Sequence, residues 1–298
     1  MPAAVLTAFF FACSGMCGQR SASALGPLRA NMIRLGIAMT LLGVMAWLIS
    51  PVPLASPAIP WLVVSGAIGF GAGDIALFLA YPHLGARLTL LINLCAAPVF
   101  GTVGEWCLTG GRPGVLQSFY CALIIAGVVI ALSRQVHMPR AAGGRPLVGI
   151  IAAIGAGAGQ GLGATFTRVA KAKALAAGDH FTGISEACVR VVPGFVLSVF
   201  VWWLASAVGR RLVVADSVRR GWSWWVVGAA VFGPVLGVSC FQWALGQTSS
   251  TVVLSITATT PILVIPMAAY MDGDRPGGIT LAGSLIAVIG VVLVLTAG

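Results

Sequence analysis

Charged side chains are scarce in this sequence. Of its 298 residues, 17 are Lys or Arg and 7 are Asp or Glu, which makes 8% charged. A soluble domain carries about 25%. In water, a chain that is 59% hydrophobic would expose large apolar patches and aggregate. The scarcity of charge therefore excludes a soluble globular protein and favours an integral membrane protein.

The sequence also lacks the residues that catalytic and metal sites need. Its only histidines, His83, His137 and His180, fall in loops or at span ends. No Gly-x-Ser-x-Gly, no His-x-x-x-His and no paired intramembrane aspartate occurs. The seven cysteines contain no Cys-x-x-Cys and are interpreted as small hydrophobes. These absences predict that the chain is not an enzyme and has no cofactor and no metal.

Ten apolar stretches have about the length that a membrane-spanning helix requires, which is roughly 20 residues. The sequence therefore predicts an all-α integral membrane fold with ten transmembrane helices. The N-terminal stretch lacks a positive leading region and is interpreted as the first, uncleaved helix. The predicted spans are residues 3–24, 28–49, 60–80, 86–107, 114–133, 147–170, 182–207, 222–245, 249–271 and 278–297.

The net charge of +10 is explained by topology rather than by nucleic acid, because no basic run is interleaved with aromatic residues. Lys and Arg concentrate in alternate loops, which predicts that these loops are cytoplasmic and that both termini lie outside. Arg112 and Lys173 belong to the opposite set of loops. The loop arginines assigned to the cytoplasm are Arg87, Arg134, Arg140, Arg145, Arg210, Arg211, Arg219, Arg220 and Arg275.

The two halves of the chain resemble each other. Residues 61–132 fall on residues 224–295 at one offset of 163, without a gap. The informative matches are Trp61 with Trp224, Phe78 with Phe241, Pro98 with Pro261, Gly127 with Gly290, and Arg112-Pro113-Gly114 with Arg275-Pro276-Gly277. Residues 1–133 are thus predicted to form a first five-helix repeat, residues 134–146 a polar connecting loop and residues 147–298 a second repeat. Because five is odd, the repeats would be inverted around a central cavity, a common transporter construction.

Asp74 is the outlying polar residue, near the middle of the third span. A carboxylate at the bilayer centre costs at least about 2.5–3.5 kcal/mol, so it requires a partner, a hydrated cavity or a proton. One interpretation is a substrate-binding or coupling residue. The other is a structural ion pair with Arg34 or Arg20. Phe78 lies one turn further along and would share the face of Asp74.

Arg34 and Arg190 match at an offset of 156, early in the second helix of each half. Guanidinium groups pair well with oxyanions, so either arginine is a candidate for holding a substrate carboxylate or phosphate. The commoner fate of such residues is to snorkel to the membrane interface, which is the interpretation preferred here. Glu186 precedes Arg190 by one turn, which predicts a local ion pair.

Other polar side chains inside apolar spans either line a path or tie helices together by hydrogen bonds. They are Asn93, Gln160, Gln242, Thr257 and Thr259. Trp243 is deep enough in its span to stack on a solute. Glycines spaced by three or four residues in the third and sixth spans predict a close approach of these two helices. They are Gly66, Gly69 and Gly73, and Gly155, Gly159 and Gly163.

Together these features resemble the drug/metabolite transporter superfamily in its ten-helix form, made of two EamA-type repeats. The likeness rests on an arginine early in the second helix of each repeat, on a segment from alanine through a small-residue turn to a mid-helix proline, and on a polar turn before a glycine-spaced helix. The arginines are Arg34 and Arg190. The segments that end in a mid-helix proline run from Ala80 through Gly85 to Pro98 and from Ala244 through Ser249 to Pro261. The polar turns with their glycine-spaced helices are Arg112-Pro113 to Gly127 and Arg275-Pro276 to Gly290.

Two features depart from the family. A glutamate before the last helix of each repeat is replaced by Gly111 in the first half, with Asp272 and Asp274 nearby in the second. Asp74 is not part of the pattern.

The resemblance implies a secondary active transporter that exports a small polar or amphipathic metabolite, such as an amino acid or a related compound. Transport would proceed by alternating access in a bacterial inner membrane, coupled to a proton or to an exchanged solute. The implied partners are this substrate and the lipid bilayer. The implied site comprises Asp74, Arg34, Phe78, Asn93, Gln160, Gln242, Trp243 and Thr257. The alternatives are an importer of a cationic or quaternary-amine solute and a non-transporting membrane scaffold.

Overall fold

The computed structural model describes residues 2–109, 114–133, 145–208, 222–247, 250–272 and 277–296. These residues are almost entirely helical and contain no strand. The first helices are α1 (Pro2–Leu25), α2 (Pro27–Ile49), α3 (Ile59–Gly66), α4 (Asp74–Thr109), α5 (Val115–Ser133) and α6 (Pro146–Ala177). They are followed by α7 (Gly183–Ala207), α8 (Trp222–Ala230), α9 (Val238–Gln247), α10 (Ser250–Thr257), α11 (Thr260–Asp272) and α12 (Gly278–Thr296).

Two seven-residue segments are π-helical, π1 (Ala67–Gly73) between α3 and α4 and π2 (Val231–Gly237) between α8 and α9. Such wide turns inside α-helices frequently mark functional sites. The polar connection 134–146, the two Arg-Pro-Gly turns and most of the loop arginines lie largely outside the described residues.

Among the described residues, six helical stretches are long and apolar enough to cross a membrane by length and composition. They are Pro2–Leu25, Pro27–Ile49, Ile59–Leu108, Pro146–Ala177, Gly183–Ala207 and Trp222–Gln247. Shorter apolar helices are Ala122–Ala131, Thr260–Met271 and Gly278–Gly290. The prediction of an all-helical, strongly apolar fold is confirmed, and the count of ten spans stays a prediction.

Gly85 separates the third and fourth predicted spans within the long stretch Ile59–Leu108. Its backbone has φ 72° and ψ 173°, a conformation open to glycine and strained for other residues. The amide of Ala86, freed by this break, donates to Oε1 of Gln19 at 2.9 Å. Helix α1 therefore stabilises the turn. Arg87, predicted to lie in this loop, is instead a buried residue of α4, because the break occupies a single residue.

The predicted span 249–271 is interrupted, since α10 ends at Thr257 and α11 begins at Thr260. Pro261 follows at once and has no amide hydrogen with which to continue the helical ladder. The Thr257 hydroxyl donates to the Leu254 carbonyl at 2.9 Å, and that of Thr259 donates to the Ile256 carbonyl at 2.6 Å. These threonines therefore satisfy the carbonyls at the break.

Glycines bring π1 and α6 into backbone contact. A Cβ on Gly159 would lie 2.6 Å from Cα of Gly73, and one on Gly73 would lie 3.3 Å from Cα of Gly159. A Cβ on Gly163 would lie 3.2 Å from the Ser65 carbonyl oxygen. The predicted close approach of the two small-residue stripes is confirmed at these positions.

Replacing Gly159 by alanine is expected to destabilise the protein by about 1–3 kcal/mol, because the new methyl group meets backbone that side-chain rotation cannot move. Gly155→Ala is the matched control, since its Cβ would be 3.8 Å from the nearest atom, the Cβ of Ala76. The control should be neutral or slightly stabilising through helix propensity. Unfolding temperatures in detergent test the pair, and equal temperatures for both variants would refute the packing argument.

Helices α5 and α12 make reciprocal contacts. A Cβ on Gly127 would lie 2.4 Å from the amide nitrogen of Ala287, and one on Gly290 would lie 2.9 Å from that of Ile124. Residues 124 and 287, like 127 and 290, are 163 positions apart. The repeat equivalents of one contacting pair, Gly127 and Ala287, thus form the other pair, Gly290 and Ile124, which is the pattern that a two-fold relation produces.

Candidate functional site

A cavity of about 90 Å³ lies where α1, α2, α4, α6, α7, α9 and the two π segments meet. Its polar lining residues are Ser14, Arg34, Asp74, Tyr81, Asn93, Gln160 and Arg190. Drug-sized binding sites occupy about 300–1,000 Å³, so this cavity suits a smaller solute. It brings together four of the residues predicted for the site, namely Arg34, Asp74, Asn93 and Gln160.

Asp74 and Arg34 form an ion pair in this cavity. Nη2 of Arg34 donates to Oδ2 of Asp74 at 2.9 Å, and the two side chains are 5% and 16% exposed. Arg34 also donates to Oδ1 of Asn31 at 3.3 Å, and Asn31 in turn donates to Ser198. Of the two partners considered for Asp74, Arg34 is the one that forms the ion pair.

Arg20, the other partner considered for Asp74, lies elsewhere. It donates to the carbonyl oxygen of Met271 at 3.0 Å, and its guanidinium carbon lies 4.5 Å from the ring centroid of Trp225. Phe78 lies behind Arg34, with its ring centroid 5.0 Å from the guanidinium carbon, instead of forming the cavity wall. It therefore supports the charged residue through a cation–π contact.

Arg190, which the sequence offers as a candidate but leaves out of the predicted site, also lines the cavity. Its side chain is buried and lines the cavity, so the preferred interpretation of snorkelling is wrong for it, as it is for Arg34. The predicted pair with Glu186 is also wrong. Lys171 binds both Glu186 oxygens at 2.5 and 2.7 Å, because α6 reaches that carboxylate from the side. The match of Arg190 to Arg34 in sequence was the available signal.

The two arginines occupy equivalent surroundings. The guanidinium of Arg190 packs against Gly69 of π1, where a Cβ would lie 3.1 Å from Nη2. That of Arg34 packs against Gly233 of π2, where a Cβ would lie 3.6 Å from Nη2. Each glycine is the third residue of its π segment, so each arginine approaches bare backbone of the opposite half.

Several polar atoms of the wall lack hydrogen-bond partners. Nε of Arg34, Nε of Arg190 and Oδ1 of Asn93 are buried without a partner among the described residues. Asn93 and Gln160 project from α4 and α6 as predicted lining residues. Buried polar groups are normally satisfied, so these atoms indicate a wall suited to a polar occupant.

Besides Phe78, three predicted residues lie outside this cavity. Gln242 and Trp243 line a second, wider cavity of about 620 Å³, which Lys171 and the start of α7 also border. Both amide atoms of Gln242 are buried without a partner, whereas Trp243 is 52% exposed. Thr257 is buried at the α10–α11 break, where its hydroxyl is bonded to a carbonyl. The interruption of the helix before Pro261 accounts for the placement of Thr257.

Residues 1–133 and 147–296 match the sequence model of the EamA-like transporter family. Among 27 matching chains of solved structures, one described only as the crystal structure of a protein is 19% identical, with a TM-score of 0.60. It covers 98% of this chain and 96% of its own length, which indicates the same fold. No curated protein matches the chain.

Proposed function

Because the chain belongs to the EamA-like transporter family, and so to the integral multi-pass membrane transporters of the drug/metabolite superfamily, we propose that it exports a small polar or amphipathic metabolite by alternating access. The substrate class is an amino acid or a related compound, and the membrane is a bacterial-type inner membrane. A proton gradient or an exchanged solute drives the movement. The proposed direction and membrane rest on the family resemblance. The residues of the central cavity support the proposed substrate class and alternating access.

The proposed architecture is ten spans in two inverted five-helix repeats. The reciprocal contacts of Gly127 and Gly290 between α5 and α12 support it. So do the two π segments of equal length, which begin 164 residues apart. Exchange of the conformations of two such halves converts an outward-open state into an inward-open one.

The central observation is a cavity that joins both halves through buried charge. Arg34 comes from α2 of the first half and packs on π2 of the second, whereas Arg190 comes from α7 and packs on π1. Movement of one half against the other would change both contacts at once. A site so built couples occupancy to conformation, as alternating access requires.

Import of a cation is the less favoured alternative. Such a site would need Asp74 to be free for an ammonium group, whereas the carboxylate is bound to Arg34 at 2.9 Å. The wall also holds two guanidinium groups against one carboxylate. A scaffold without transport is disfavoured because it has no use for a polar cavity inside the helices.

Counterflow in proteoliposomes tests the proposal. Liposomes loaded with unlabelled amino acids or related acids are expected to accumulate the same labelled solute transiently, and protein-free liposomes are the control. Inside-out vesicles should take up the solute if the protein exports. Exchange of quaternary amines alone would favour the importer, and no exchange across the whole panel would favour the scaffold.

A further inference from the structure

We infer that Arg190 is the anchor for an oxyanion of the transported solute, and that this oxyanion occupies the position that a second carboxylate would hold. The inference rests on the proposed function and names its substrate class. It is carried by a difference between the two halves at one pair of equivalent positions.

The pair consists of the residues that directly follow the π segments, which begin 164 residues apart. The sequence offset of 163 instead matches Asp74 with Gly237, and neither Gly237 nor Val238 supplies a carboxylate. Asp74 follows π1 and binds Arg34, whereas Val238 follows π2 and lines the same cavity. Arg34 and Arg190 occupy equivalent places, each against the third residue of the opposite π segment. The first arginine therefore has an acidic partner, and the second has an apolar residue at the corresponding position.

No carboxylate in the described part of the chain forms an ion pair with Arg190. Glu186, one turn earlier on α7, is bound by Lys171 through both oxygens. The Arg190 guanidinium also lies against the ring of Phe70, whose centroid is 5.4 Å away, while Glu186 and Asp74 act on it only as charges beyond ion-pair distance. A buried guanidinium with an unbonded Nε is costly unless it is paired. A solute anion would remove that cost.

A hydrogen-bond acceptor in the cavity wall restricts the class of solute further. Oδ1 of Asn93 is buried without a partner and belongs to the same cavity. A hydrogen-bond donor on the solute would satisfy it, while the oxyanion binds Arg190 in charge-assisted hydrogen bonds. The chemistry of the wall thus selects a small carboxylate that carries an amino or hydroxyl group.

Val238→Asp tests the inference directly, because it supplies the missing carboxylate within the cavity. Val238→Asn is the matched control of the same shape without the charge. The probes are small L-amino acids and 2-hydroxy acids, each compared with its neutral amide. Binding is followed by the shift of unfolding temperature in detergent and transport by counterflow in proteoliposomes, both with the full chain.

We expect the acids to bind and exchange, and the amides to be about 10- to 100-fold weaker, as for the loss of a charged hydrogen bond. Val238→Asp should lose acid binding by a similar factor and Val238→Asn should lose much less. Arg190→Gln should lose acid binding without a lower unfolding temperature in the absence of solute, whereas a purely structural arginine would lower it.

The outcomes separate the two proposals. Exchange of amides as well as acids, or full acid binding by Val238→Asp, would overturn the anchor and leave transport standing. Acid binding that Val238→Asp abolishes, without counterflow of any solute, would support the anchor and overturn transport. Neither binding nor exchange of any probe would overturn both.

Discussion

Asp74→Ala is expected to lower the free energy of unfolding by about 3–5 kcal/mol and to abolish transport, because it leaves a buried charge without its partner. Arg34 is 4% exposed, and its Nε already lacks a hydrogen-bond partner. After the substitution, Asn31 and the ring of Phe78 would be its remaining stabilising contacts among the described residues. Neither neutralises a guanidinium group. Unfolding in detergent and counterflow in proteoliposomes measure the two effects.

The double variant Arg34→Met/Asp74→Leu separates stability from function. An apolar replacement of a whole buried pair is often neutral or stabilising, so the double variant should unfold near the wild-type temperature. It should still not transport, since the charged pair that joins α2 and α4 in the cavity wall is gone. If Asp74→Ala were as stable as the double variant, the buried pair would not contribute as argued. Normal transport by Asp74→Ala would remove Asp74 from the site.

Much of the fold follows from patterns that the sequence displays openly. The apolar runs give helix positions to within a few residues, as for the predicted span 28–49 and the helix Pro27–Ile49. The rarity of acids drew attention to Asp74, because the high cost of a lone intramembrane charge made a nearby arginine the natural partner. Glycine spacing located the contact of Gly73 with Gly159.

Other features depend on tertiary packing that no local pattern encodes. The π turn of the first half has no composition signal, since the sequence of π1 reads like any small-residue helix. The π turn of the second half contains Pro234, whose missing amide hydrogen interrupts the α-helical ladder, but the matching turn in the first half has no proline. The partner of Glu186 was misjudged because the rule of one-turn neighbours favours Arg190, whereas Lys171 approaches from α6. The place of Trp243 at an exposed surface depends on how α9 is rotated after π2.

The misjudged pair also explains why Arg190 is available. Glu186 is the carboxylate one turn from Arg190 on α7, and it is 2% exposed. If it were released, it could turn toward that arginine, because residues one turn apart on a helix lie side by side. Lys171 prevents this by binding both oxygens. We therefore expect the lysine to affect solute binding although it does not line the central cavity.

Lys171→Met is therefore expected to weaken the binding of small carboxylate solutes by about 10-fold or more, because Glu186 would turn to Arg190 and compete with the solute. Stability should fall by less than the 3–5 kcal/mol of a broken buried pair, since Arg190 replaces the lost partner. Lys171→Arg, which keeps the charge, should retain both properties. Thermal shift with L-amino acids and 2-hydroxy acids measures the binding.

The double variant Lys171→Met/Glu186→Gln distinguishes competition from damage to the fold. With the carboxylate gone, Arg190 is again free for the solute, and binding should recover although Lys171 is still absent. A structural defect at the α6–α7 contact would instead persist or worsen in the double variant. Recovery of binding would thus trace the effect of Lys171 to the charge of Glu186, and a lasting loss would refute the competition.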